Sequence, residues 1–377
     1  MKNLLTYLSI LIGSTFAFSQ DPVFNNPEFS LTYLNPAYAG ENGEITINSQ
    51  IQNQFHRIAG RFQYSSFSIN AGCPNSKHGF GLHVFRSEQG EGFLATNNIY
   101  GLYSLTIPTA RFSNFTMGIQ FGAGQHRLQW DKLTFNSQLD PYLGRISNTS
   151  NIFRQNPQSD IFTNFSFGLK YRTLLGKRKK VGNSNPYLSL GFAVFNVNGL
   201  SSSNESFFNV INSRQTRYSA HAFFSFVPKK EYSYRSKNNN FRYGLSVNYQ
   251  SQLPVQTLVS TFQFYPDSYW MVFLGGKTQR FENININAMT LGVSYLHDKP
   301  KNFNINFGGN LDFPPFELSA PTGLISFELG MSLTLKNKYM CFKRKNSRNR
   351  RIKNLSRDCY YERRNGKIIK VKYYNAQ

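Results

Sequence analysis

Few residues in this chain could carry chemistry, and their spacing does not gather them. The six histidines are His56, His78, His83, His126, His221 and His297. A zinc site needs several nitrogen, sulfur or carboxylate donors at fixed offsets. No histidine here has a second ligand type at such an offset, and neither HExxH nor a paired CxxC occurs. His83 and His221 fall inside alternating runs and read as rim or lumen residues. Gly79-Phe80-Gly81 and Gly122-Ala123-Gly124 look like fragments of phosphate loops. Such loops present a helix N-terminus to the anion; no helix follows either one, so close strand packing is the better reading. Asp and Glu total only 19, scattered, and no Ser/His/Asp arrangement stands out. The expectation is no catalytic residue, no metal ligand and no cofactor: not an enzyme.

Cysteine use points the same way. There are three, Cys73, Cys341 and Cys359, whereas a secreted scaffold held by disulfides carries more, in an even number. Cys341 and Cys359 could pair in an oxidising periplasm, leaving Cys73 over.

The elements that position everything else have period two. Phe115, Met117, Ile119 and Phe121 alternate with Thr116, Gly118, Gln120 and Gly122; Ile325 to Leu335 alternates likewise. Such runs have the 9–11 residues that a tilted strand needs to cross hydrocarbon, longer than the usual 5–6 of soluble sheets. Strands are expected near 44–53, 61–71, 78–85, 97–107, 113–127, 162–172, 186–196, 217–227, 241–250, 257–265, 270–278, 284–296, 303–311 and 324–335. That even set predicts an all-β fold, a transmembrane antiparallel β-barrel of about 14 strands. The alternation slips phase at Ser65-Ser66 and Ala288-Met289, which predicts bulges there.

Composition agrees. Aromatic residues make up 16%, with 36 Phe and 22 Tyr, yet mean hydropathy is −0.43. A barrel combines these because lipid-facing and lumen-facing residues alternate between aromatic girdles.

Met1-Lys2-Asn3 precedes an apolar run from Leu4 to Phe18, and Ala17 and Ser19 supply small residues at −3 and −1. Residues 1–19 therefore read as a signal peptide. A membrane anchor would need about 20 apolar residues, and Thr6, Ser9, Gly13, Ser14 and Thr15 interrupt this run. Residues 20–43 form an extended, proline-punctuated lead-in, 44–336 the barrel, and 337–377 a tail. The net charge of +23 concentrates in that tail, where Lys336 to Gln377 carry 15 Lys/Arg against Asp358 and Glu362. Basic tails often bind nucleic acid; export removes that partner, and an acidic protein, the cell wall or outer-membrane lipid phosphates fit better. Lys343, Arg344, Lys345, Arg348, Arg350, Arg351 and Lys353 are the candidate docking charges, with Asn365-Gly366 beyond them as a hairpin signal. With the N-terminus in the periplasm, the long connections 128–161 and 197–216 face outward, and the tail faces inward.

The mature N-terminus carries Asp21, Pro22 and Phe24, then Tyr33-Leu34-Asn35-Pro36-Ala37-Tyr38-Ala39-Gly40. Asn53-Gln54-Phe55, Phe93 to Pro108, Trp130 to Phe135, Asp140-Pro141 and a closing strand with Glu328 follow in order. This series closely resembles the PorP/SprF family of type IX secretion system membrane proteins. Phe55 stands where the family has tryptophan, and the basic tail extends past the usual barrel end. The resemblance implies an outer-membrane barrel that supports secretion and surface attachment of a large gliding-associated adhesin. Its implied partners are the adhesin's C-terminal sorting domain and a periplasmic peptidoglycan-associated protein. The alternative is an outer-membrane small-molecule channel or transporter.

Overall fold

The computed structural model describes residues 21–314 and 325–335 apart from stretches in the connections, the longest being 146–160, 176–185 and 227–240. In the tail it describes only the backbone of 359–364 and 367–373. The expected signal peptide, Phe55, Cys73, Phe93, Trp130, Cys341 and the charges from Lys343 to Lys353 lie outside the described residues.

Fourteen strands close into one barrel. They are β1 (Ile45–Gln54), β2 (Phe62–Gly72), β3 (His78–Gln89), β4 (Leu94–Ala110), β5 (Ser113–Arg127), β6 (Phe162–Leu174) and β7 (Tyr187–Phe195). The second half comprises β8 (Arg217–Phe226), β9 (Arg242–Gln252), β10 (Val255–Tyr265), β11 (Trp270–Phe281), β12 (Ile284–Asp298), β13 (Phe303–Phe313) and β14 (Ser326–Leu335). Each pairs antiparallel with the next, and β14 returns to β1 from Ile45↔Leu335 to Asn53↔Phe327. Closure leaves no edge with unpaired backbone groups, which is what a lipid interior demands. Strand lengths run from 9 residues in β7 to 17 in β4, enough to cross the hydrocarbon.

The side chains alternate as the period requires. On β5, Met117, Ile119 and Phe121 are exposed, while Thr116 and Gln120 on the other face are buried. On β14, Leu329 and Met331 face out and Ser326 and Glu328 face in. The exterior is therefore an apolar belt and the interior is polar, the arrangement of a barrel in lipid. No described helix is long and apolar enough to cross a membrane; the crossing is made by strands.

The two expected bulges do not form. β2 runs in unbroken register with both neighbours through Ser65 and Ser66, and β12 with β11 through Ala288 and Met289. In β2 the apparent slip has a simple cause: Tyr64 is an aromatic residue on the inward face, only 5% exposed. An apolar residue on the lumen side mimics a change of phase when the lumen holds protein.

The longest connections follow β5 and β7, so their end of the barrel is the outer one. In the tail, Cys359–Arg364 pairs antiparallel with Lys367–Tyr373.

Candidate functional site

The lumen is not open: residues 21–41 fold inside it. The sequence pattern suggested an extended segment, but this stretch is compact. Two Asn-Pro pairs build it. Asn26 accepts from the Glu28 N–H at 3.2 Å and Asn35 from the Ala37 N–H at 2.8 Å. Each caps a 3-10 turn whose first residue is a proline, Pro27 or Pro36. Proline suits that position because its missing N–H would have no helical partner. Between them Leu31–Leu34 makes one α-helical turn.

The plug passes between the two ends of the barrel three times. At the outer end the Asp21 N–H donates to Gln252 at 2.8 Å, the last residue of β9. Glu28 lies near the inner end, where the Tyr265 hydroxyl donates to it at 3.1 Å. Tyr33 returns to the outer half, its ring stacked 5.0 Å from Phe85 and its carbonyl accepting from Arg217. Glu41 is again at the inner rim, 2.7 Å from Lys170 and 3.1 Å from Arg172. The first described residue thus sits at the opposite end of the barrel from the start of β1.

The wall is shaped for this occupant. A Cβ on Gly118 would stand 2.3 Å from the Ala37 nitrogen, on Gly168 2.1 Å from Asn35 Oδ1, and on Gly330 2.1 Å from the Phe29 ring. Gly79, in the first phosphate-loop-like fragment, lets Ala39 approach; Gly122, in the second, lets β4 approach. Both are close-packing glycines. Apolar packing concentrates where Phe24, Tyr33 and Ala39 meet Tyr64, Phe85, Tyr100 and Leu102.

Polar groups complete the fit, as burial requires. Glu328 accepts from the Asn25 N–H at 2.9 Å, the Asn26 N–H at 3.3 Å, Gln50 at 3.1 Å and Gln52 at 2.6 Å. Asn25 also donates to Asp312. The Tyr38 hydroxyl lies 3.0 Å from His221 Nε2, and His83 Nε2 lies 3.0 Å from the Ser66 hydroxyl beside Tyr33. Both lumen histidines are therefore engaged with the plug or its socket. Burial raises the Glu28 carboxyl above the ordinary range, against the Tyr265 hydrogen bond and the Arg242 charge. At Glu41 burial pushes upward too, but Lys170 and Arg172 outweigh it and hold the group below the ordinary range.

The structure thus gathers Asp21, Pro22, Phe24, Tyr33, Leu34, Asn35, Pro36, Ala37 and Gly40 into one inserted element, buried apart from Asp21. Among the described residues no group of three or more His, Cys, Asp or Glu could hold a metal. The sequence reading named Glu328 only as part of the closing strand, and it missed the rest of the wall's contribution: Asp312, Gln50, Gln52, Lys170, Arg172 and Arg217. Inward aromatic residues and glycines were the signal that could have found it.

A family profile described as "Type IX secretion system membrane protein PorP/SprF" matches residues 16–333. The chain belongs to this family. The match spans plug and barrel and ends before the basic tail. This PorP/SprF protein is thus an outer-membrane barrel of type IX secretion, and it works among other parts of that machinery. No curated protein matches it. Among solved structures, the CymD monoaromatic hydrocarbon channel is 10% identical with a TM-score of 0.42, covering 84% of this chain and 94% of that one. A Pseudomonas aeruginosa FadL homologue is 11% identical with a TM-score of 0.37, covering 83% and 94%. The β-domain of the Bordetella autotransporter BrkA is 8% identical with a TM-score of 0.38, covering 78% and 99%. Likeness this low says nothing of what the lumen does.

Proposed function

We propose that this barrel supports secretion and surface attachment of a large gliding-associated adhesin by binding proteins, with no catalytic step. Its partners on this reading are the adhesin's C-terminal sorting domain and, in the periplasm, a peptidoglycan-associated protein. The observation that carries it is the plug. A wall built glycine by glycine around residues 21–41 suits a rigid docking body better than a conduit for solutes. The basic tail, with its hairpin, supplies a separate periplasmic docking element toward an acidic partner surface.

The test is deletion of the gene followed by surface labelling. One adhesin should vanish from the surface while other type IX cargo is still exported; normal surface levels of every adhesin would refute the reading. Truncation after Lys338 should leave a folded, heat-modifiable barrel but weaken partner co-purification. A truncated protein that keeps every partner at full strength removes the docking role of the tail. The channel alternative predicts steady conductance of the intact protein in planar bilayers.

A further inference from the structure

Above the plug, at the outer end, lies a cavity of about 300 Å³. Its walls hold Asp21, Tyr64, Arg217 and Lys277, with amide side chains from Gln54, Gln89, Gln250, Gln252 and Gln279. Arg217 is the unusual member. It is 4% exposed, and its guanidinium is clamped between the Tyr33 and Phe195 rings, 4.3 and 4.1 Å from their centroids. One amino group donates to the Tyr33 carbonyl at 3.2 Å. The other, Nη1, has no hydrogen-bond partner among the described residues. Asp21 stands 3.7 Å from Nε, too far for a hydrogen bond. A clamped, buried guanidinium with a spare donor is a preorganised fork for carboxylate. Lys277, on β11, lines the same cavity and adds a second positive charge.

We infer that this outer vestibule is a seat for a carboxylate carried on a short extended peptide. The carboxylate takes the buried, unpartnered Nη1 of Arg217, in the cavity that Lys277 also lines. Gln252 already holds the Asp21 N–H and the Gln215 carbonyl; the other glutamine amides, each both donor and acceptor, match the alternating N–H and C=O groups of an extended backbone. Asp21 is then an internal competitor that the incoming carboxylate displaces. The seat deepens the protein-binding reading and rests on it only for where the peptide comes from; purified barrel tests the seat by itself, whatever the deletion strain shows.

The experiment uses full-length protein in detergent and dye-labelled tripeptides, followed by fluorescence anisotropy, with empty micelles as blank. Three probes are compared: triglycine with a free C-terminus, its C-terminal amide, and Gly-Asp-Gly amide. The free acid should bind at least tenfold more tightly than its amide. Binding of Gly-Asp-Gly amide as well would assign the seat to side-chain carboxylates too; its failure would confine the seat to chain ends. Asp21→Asn should tighten binding about fivefold, the effect of one charge a few ångströms away at high dielectric. Lys277→Gln should weaken it by a similar factor. A gain of affinity cannot come from misfolding, so Asp21→Asn keeps the test sharp. Equal binding of acid and amide, or an Asp21→Asn protein that binds no better than the original, overturns the proposal.

Discussion

Replacing Gly118 with alanine is the smallest change that should unseat the plug. The added methyl would stand 2.3 Å from the Ala37 nitrogen and 2.4 Å from the Pro36 carbonyl carbon, where ordinary contact begins at 3.4 Å. Neither atom is the end of a flexible side chain, so strand or plug must move by about 1 Å. Overpacking of this kind costs about 1–3 kcal/mol, which shifts the ratio of seated to unseated plug about 5- to 150-fold. In the barrel wall itself the same change should help slightly, because glycine weakens a strand interior. The two effects have opposite signs, and only plug contact predicts harm. Limited proteolysis of residues 21–43 in detergent-solubilised protein, read by mass spectrometry, measures the seated fraction. Gly101→Ala is the control, since its Cβ meets nothing nearer than 3.8 Å. Both variants should still migrate as heat-modifiable barrels. If Gly118→Ala protects the segment as well as the original protein does, the close fit of plug to wall is wrong.

Other outcomes follow from the same socket. Glu41 has a carboxyl held below the ordinary 4.5 by Lys170 and Arg172, so its contribution is full above that pH and is lost as pH falls through the lowered value. Plug protection should therefore decline in acid below about pH 4.5, and Glu41→Gln should flatten that part of the profile. Glu328→Ala leaves two backbone N–H groups and two glutamine amides without their acceptor. At about 1–3 kcal/mol for each buried group left unpaired, the thermal midpoint should fall by more than for Gly118→Ala; an unchanged midpoint would mean water replaces the carboxylate at no cost. Tyr38→Phe removes one hydroxyl contact with His221 and should cost about 1 kcal/mol, read as a small rise in amide exchange across residues 35–41.

The barrel was legible because lipid imposes period two on the outward face of the strands. Met117, Ile119 and Phe121 must be apolar, so every one of the fourteen strands announces itself within a few residues of its observed limits. The plug was not legible because the lumen sets no such rule. Inward residues such as Gln50, Gln52 and Asn48 are polar whether they face water or protein. The lead-in itself offers no amphipathic period, and its prolines, Pro22, Pro27 and Pro36, read as extended chain. Its burial depends on partners far off in sequence, such as Asp312 and Glu328, which no local pattern reveals. Two signs were present. Tyr64 broke the polar rule on the inner face of β2 and was read as a bulge. Gly118, Gly168 and Gly330 left room on the inner face of three separate strands, which a water-filled pore has no need to provide.

The pairing of Asn25 with Glu328, 303 residues apart, has a consequence for biogenesis. The segment that precedes every strand is seated on the last strand of the barrel. Until β14 closes against β1, Phe24, Phe29, Tyr33 and Leu34 have no complete socket, and loop closure over so long a span is slow. Glu328 on β14 also reaches Gln50 and Gln52 on β1, so plug and seam lock together in a single late step. A nascent chain of this kind has to be kept from aggregating through almost its whole delivery to the membrane, and a barrel that later loosened at that seam would release its plug at the same moment.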